Sequence, residues 1–258
     1  MRIYHYTSIQ TLALILKNKT LRLNCAKNVN DSDECITKDF GSLQKYCFVS
    51  CWTKNEDESI PFWKIYADGG RGVRLESDTD FIHFRGEKPN GNPIRLIVDN
   101  VNKQKKDSWF INLCQNKTSM NHYFVTKYSD EKRRFQIDCS TKTTQQWIYD
   151  IESAFNTKKT CWSFEEEVRF ILLGCRMENQ KPYAWETVFN GITTGKHIND
   201  SWVDLILEQD FFDNLKITTG PLASEADKII VKSLISYFGK NIKVSESIIK
   251  MREVHRNN

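Results

Sequence analysis

The sequence predicts an α+β fold folded as a single domain over residues 1–258. Three observations carry this expectation. Short stretches rich in β-formers with period-two alternation recur along the chain, at 2–7, 46–53, 164–173 and 242–249. An amphipathic helical stripe lies at 9–16, and 222–238 reads as helical. No linker of domain-boundary character and no internal repeat separates these segments.

In chain order, RIYHYT over 2–7 reads as a strand. Thr7 and Gln10 fit a capping box, and the helix that follows carries Ile9, Leu12, Ala13, Ile15 and Leu16 on one stripe. Asn18 and Lys19 end it, 21–23 reads as a short strand, and 28–33 as a turn-rich loop. The next strand is 46–53, with Tyr46, Phe48, Ser50 and Trp52 on one face and Cys47, Val49 and Cys51 on the other. Ser59 and Pro61 begin a short helix with Phe62, Trp63, Ile65 and Tyr66, and Asp68-Gly69-Gly70 stops it. Strands follow at 72–76 and 94–101. Residues 102–160 are more polar and read as partly helical, with Trp147, Ile148, Ile151, Ala154 and Phe155 as an amphipathic stripe. After 164–173, strands are expected at 202–207, 216–219 and 242–249, with Gly220-Pro221 breaking the chain before a helix over 222–238. The result is a frame at 1–101 and 160–250 around a basic, partly helical insertion at about 102–159.

Composition narrows the function. The chain holds 37 Lys plus Arg against 33 Asp plus Glu, a net charge of +4, so no strong polyelectrolyte partner is announced. Nucleic acid remains open through local patches, and Lys103–Lys106 and Lys132–Arg134 are two such clusters, or else solvated helix faces. No run of 18 apolar residues occurs, and MRIYHYTSIQ lacks an apolar leader core, so a cytoplasmic protein with no membrane partner is expected. The eight cysteines contain no CxxC pair and no zinc spacing, so they read as reduced thiols and no metal site is expected.

Few residues stand out for chemistry. Glu165, Glu167 and Arg169 share one face at period two, while Val168, Phe170 and Leu172 share the other, the natural core face. Two carboxylates beside a guanidinium suit acid–base or charge-stabilising work, or a solvated face held by an ion pair. His5 shares a face with Ile3 and Thr7, away from Tyr4 and Tyr6, and reads as a site or a structural residue. Trp52, Trp63 and Tyr66 could stack a flat ring or fill the core. Gly69–Gly72 has a helix before it and a strand after it, the reverse of a phosphate loop, so it reads as a turn. Asn30–Glu34 reads as an Asx turn, since it lacks the glycine and distal glutamate of a calcium loop. No GxSxG, HExxH or Walker sequence is present.

An ordered set of segments over residues 4–235 resembles a bacterial family catalogued as domain of unknown function 2971. The segments are Tyr4-His5-Tyr6 with the helix after it, Asn30-Asp31 with Glu34, and Ser50-Cys51-Trp52. They continue with Trp63, Tyr66, Ala67 and Gly69, then Gly72-Val73, then Trp162, Glu165, Glu167 and Arg169, and end with Gly220-Pro221. The chain has Asp31-Ser32-Asp33 where that family has Asp-Pro-Phe. The family is in turn similar to the ADP-ribosyltransferase fold, of split mixed and antiparallel β-sheets flanked by helices. That resemblance implies NAD as substrate, with Glu167 as the late-strand carboxylate and Glu165 two residues ahead of it. It implies His5 on the first strand against the adenosine ribose and Ser50 at the second-strand position. Tyr6, Trp63 or Tyr66 would stack on nicotinamide, and Arg169 would orient Glu167 or contact pyrophosphate. The implied reaction passes through an oxocarbenium-like ribose, which a carboxylate stabilises. The implied partners are a macromolecular acceptor, protein or nucleic acid, and an antitoxin or defence-system component.

Overall fold

In this computed structural model the described residues are 1–79, 109–113, 123–131, 140–142, 147–149, 154–176, 191–197, 199–207, 209–238 and 241–252. The architecture is mixed α+β, with mostly antiparallel strands flanked by helices. The elements from the N-terminus are β1 (Arg2–Thr7), α1 (Ile9–Asn18), β2 (Thr20–Cys25), β3 (Ile36–Thr37), β4 (Gly41–Ser42) and β5 (Cys47–Thr53). Then come α2 (Ile60–Tyr66), β6 (Val73–Asp78), β7 (Trp109–Leu113), β8 (Phe124–Val125), β9 (Lys127–Tyr128), β10 (Ser140–Lys142) and β11 (Trp147–Tyr149). The rest are β12 (Thr157–Lys158), β13 (Glu167–Arg176), β14 (Trp202–Ile206), α3 (Gln209–Asn214), β15 (Lys216–Thr219), α4 (Glu225–Phe238) and β16 (Lys243–Glu246). They form two compact units: Met1–Leu21 with Trp52–His83 and Leu207–Asn258, and Arg22–Cys51 with Phe84–Ile206.

In the first unit β1 runs antiparallel to β6 along its whole length, from Arg2↔Asp78 to Thr7↔Val73. β6 is antiparallel to β15, and β15 is parallel to β16. On its other side β1 meets the end of β5, Tyr4↔Thr53. Because Thr7 still pairs in the strand, the α1 cap falls one residue later than the sequence suggests. Ser8 accepts from the Thr11 amide at 3.1 Å. Leu12, Ile15 and Leu16 are buried, as the stripe predicts, and Lys19 ends the helix in the left-handed region. Tyr6 packs against Phe62 and Trp63 of α2, with ring centroids 4.9 and 4.8 Å away.

The segment after α2 folds into the expected turn. Asp68, Gly69 and Gly70 all have positive φ, and the Ala67 carbonyl accepts from both the Gly70 and Gly72 amides. A Cβ on Gly72 would meet the Thr7 carbonyl and would lie 2.9 Å from Ala67 backbone. Gly220 docks on this turn, donating its amide to Gly72, and its missing Cβ makes room for the Gly70 carbonyl. Gly72 and Gly220 therefore lack side chains for steric reasons, and Gly69 suits the left-handed backbone of the turn.

In the second unit β5 pairs with β2 and β13, and β13 also pairs with β7 and β8. One side of these strands forms a core from Cys47 and Val49 of β5, Ile171, Leu173 and Cys175 of β13, and Phe124, Phe155, Leu43 and Tyr46. Val168, Phe170 and Leu172 are buried on the opposite side of β13. The segment 102–159, read as partly helical, needs correction at its stripe from Trp147 to Phe155. Its described residues are mainly the short strands β7–β12, with helix only at 154–155, and Trp147–Tyr149 pairs in a hairpin with β10. The strand expected at 94–101 and the Lys103–Lys106 and Lys132–Arg134 clusters lie outside the described residues.

Candidate functional site

The second unit concentrates its charge at one place. Glu167 and Arg169 stand at the start of β13, on the same face as Ile171 and Leu173, and so continue a buried face. Glu167 is 2 % exposed and Arg169 1 %. The sequence predicted a solvated or ligand-facing side here. Instead this face is closed, because complementary charges arrive from elsewhere. β12 brings Lys158, the loop after the Asp31 turn brings Glu34, and the 3₁₀ segment 160–165 brings Glu165. All three are buried.

The contacts are dense. The Lys158 Nζ lies 2.5 Å from Glu165 Oε2, 3.1 Å from Glu167 Oε2 and 3.3 Å from Glu34 Oε1. Arg169 Nη2 donates to Glu34 Oε1 at 2.8 Å and to Glu167 Oε2 at 2.9 Å, and its Nη1 donates to the Phe155 carbonyl at 3.0 Å. The Trp162 ring lies 5.0 Å from the Lys158 ammonium, and the Tyr128 phenol oxygen accepts the Glu167 amide at 2.9 Å. Trp162, Glu165, Glu167 and Arg169, together with Glu34, thus form one cage around Lys158.

The electrostatics follow from this packing. Burial pushes the Glu167 carboxyl up, but Arg169 and Lys158 outweigh it and hold the group below the usual range. Burial pulls the Lys158 ammonium down, and Glu167, Glu34 and Glu165 together hold it above the usual range. Arg169 is raised in the same way by Glu167 and Glu34. Burial and then the Glu167 charge push the Cys51 thiol up, and Cys51 hydrogen-bonds that carboxylate. The five central side chains carry three negative and two positive charges.

The other expected site residues are distributed differently. Ser50 is buried on the face of β5 opposite Cys51, so it points away from Glu167. In the first unit His5 stacks on Trp52, with centroids 5.1 Å apart. Tyr6, Trp63 and Tyr66 form an aromatic cluster on the other face of β1. Tyr6 accepts the Ser59 amide through its hydroxyl, and Trp63 is fully buried with its indole N–H on Glu58 at 3.0 Å. Tyr66 is the member of that cluster with partial exposure. Arg169 donates through Nη2 to Glu34 and Glu167 and through Nη1 to the Phe155 carbonyl, and its Nε is buried without a hydrogen bond.

The sequence singled out neither Lys158 nor Tyr128. Their signal was distant: both lie in a stretch read as polar and helical, and β12 pairs parallel with β9 to bring them together. The Asx turn was legible, with the Asp33 amide on Asp31 Oδ1 at 3.0 Å. Among the described residues all six cysteines are free, no group of His, Cys, Asp or Glu is arranged to hold a metal, and no helix is long and apolar enough to cross a membrane. No family model, no curated protein and no solved structure matches the chain.

Proposed function

We propose that the chain is an NAD-consuming enzyme of the ADP-ribosyltransferase type, with Glu167 as its ribose-facing carboxylate and Glu165 beside it. The observation that supports this reading is the ionised state of the late-strand carboxylate. Glu167 is held ionised by Arg169 and Lys158, the state required to stabilise an oxocarbenium-like ribose. Transfer would go to a protein or nucleic-acid acceptor, with water as the acceptor in a glycohydrolase variant.

A second reading rests on one specific observation. Glu167 is 2 % exposed and its Oε2 already has two cationic partners, which suits a non-catalytic nucleotide-sensing or protein-interaction module held together by the cluster. One experiment separates them. Purified protein is incubated with labelled NAD, with and without cell lysate. Label on a macromolecule supports transfer, and free ADP-ribose alone supports hydrolysis. The enzyme reading requires that Glu167→Gln abolish turnover while the circular dichroism spectrum is retained. No NAD consumption under any condition would sink it and leave the binding module. His5→Ala tests the first-strand residue separately: an unchanged NAD affinity removes His5 from the site.

A further inference from the structure

Helix α4, in the first unit, has two apolar faces. Val231 and Ile235 are buried on one, where the helix packs on α1. At about 3.6 residues per turn, Ala226, Ile229, Ile230, Ser233 and Tyr237 gather on the opposite side. All five are exposed, Ile229 by 63 %, Ile230 by 48 % and Tyr237 by 78 %. The charged residues of the helix lie off this face. Asp227 accepts from the Ser224 amide and hydroxyl, and Lys228 pairs with Glu225 and Glu246.

A surface helix keeps one apolar stripe for the core and turns charge to water, so apolar residues on both sides call for cover on both. The three large side chains leave on the order of 400 Å² in water, comparable with the largest patch of a typical monomer. Two features say what covers it. Small Ala226 and Ser233, seven residues apart, alternate along the stripe with large Ile230 and Tyr237, also seven apart, which is the knob-and-hole pattern of a helix pair. The edge of the stripe is also self-complementary in charge. Glu225 and Lys232 lie seven residues apart along it, both exposed, and the Glu225 side chain is 85 % exposed even while it meets Lys228 at 3.0 Å. A two-fold axis across the helix lays this edge against itself in reverse, so Glu225 of each copy comes to Lys232 of the other. A parallel pair would set like charges together. A lipid surface would call for a basic rim, and this one is mixed. Two such faces with their flanking residues bury about 1,000 Å² in total, the low end of specific interfaces.

We infer that the outward face of α4 is a two-fold dimer interface, in which the α4 helices of two copies of the chain pack antiparallel. The contact uses first-unit residues alone and stands whether or not Glu167 is catalytic.

The test is sedimentation velocity of the full chain at loading concentrations from about 1 to 200 μM, the range in which a small interface associates. The expected result is a concentration-dependent shift from monomer to dimer. Ile229→Glu and Tyr237→Glu, at exposed positions, should keep the circular dichroism spectrum and weaken association by about tenfold or more. Lys232→Glu should weaken it by a few fold, and adding Glu225→Lys to it should restore it. A parent protein that stays monomeric at the highest concentration overturns the inference, and so does a dimer that Ile229→Glu and Tyr237→Glu leave intact. A double charge reversal no tighter than Lys232→Glu alone overturns the antiparallel pairing. A monomer that floats with phosphatidylserine vesicles, and ceases to in Tyr237→Glu, overturns the dimer in favour of a lipid surface.

Discussion

Lys158→Met is the sharpest perturbation of the second unit. The variant keeps the length and apolar stem of the side chain and deletes its ammonium. In the parent protein that ammonium lies within 3.3 Å of three carboxylate oxygens. At an effective dielectric of about 20, each such contact is worth on the order of 5 kcal/mol of Coulomb attraction before desolvation. Desolvation offsets most of this, so the better guide is the cost of removing one partner of a buried pair, about 3–5 kcal/mol. Three glutamates that each lose a cationic contact place this variant at the upper end. Stabilities of single domains run about 5–15 kcal/mol, so the loss should be visible as a large drop in urea midpoint, followed by tryptophan fluorescence. The pH dependence gives the second half of the test. Without Lys158, the Glu167 carboxyl loses one of the two cations that outweigh its burial, so its folded-state pKa moves up. A group raised in the folded state stabilises below its pKa and loses that contribution as pH rises. The variant should therefore recover relative to the parent as pH falls from 7 towards 5. A loss under about 1 kcal/mol at pH 7, or a gap that does not narrow on acidification, would refute the picture of a tight, net-negative buried cluster.

Two further outcomes test the first unit. Gly72→Ala should lower the melting temperature by an amount corresponding to about 3 kcal/mol or more, because the new Cβ meets backbone on both sides, and calorimetry would detect it; an unchanged melting temperature would show that the turn is not packed as described. Ser8→Ala removes the α1 cap and should cost about 1 kcal/mol in chemical denaturation, whereas Thr7→Val should leave the cap intact.

The legible part of the fold was local. β1, β5, β6, β15 and β16 announced themselves by alternation, and α1, α2 and α4 by stripes with breakers at their ends. The one-residue error at the α1 cap arose because Thr7 and Ser8 are both good caps, and only the Thr7↔Val73 pairing decides between them. α3 went unread, since six residues are too few to establish a helical period. The candidate site was legible only in part, for a different reason. Period two places Glu167 and Arg169 on one face but does not say whether that face meets water. The answer depends on Glu34, 135 positions from Arg169, and on Lys158, seven positions before Glu165 across a change of direction.

The two arginines make the same point about function. Arg169 drew notice because two glutamates precede it in sequence, yet its Nη1 and Nη2 are satisfied by Glu34, Glu167 and the Phe155 carbonyl. Arg74 drew none, since Val73 and Leu75 around it read as an ordinary strand. In the fold its guanidinium packs on the Tyr4 ring and the Asn55 and Glu56 carbonyls, and like Arg169 it has a buried Nε without a hydrogen bond. A charged residue surrounded by opposite charges in sequence tends to be neutralised in the fold, whereas one embedded in an apolar strand has to find its counter-charge at a distance. Proximity of acids in a sequence is therefore evidence for structural pairing.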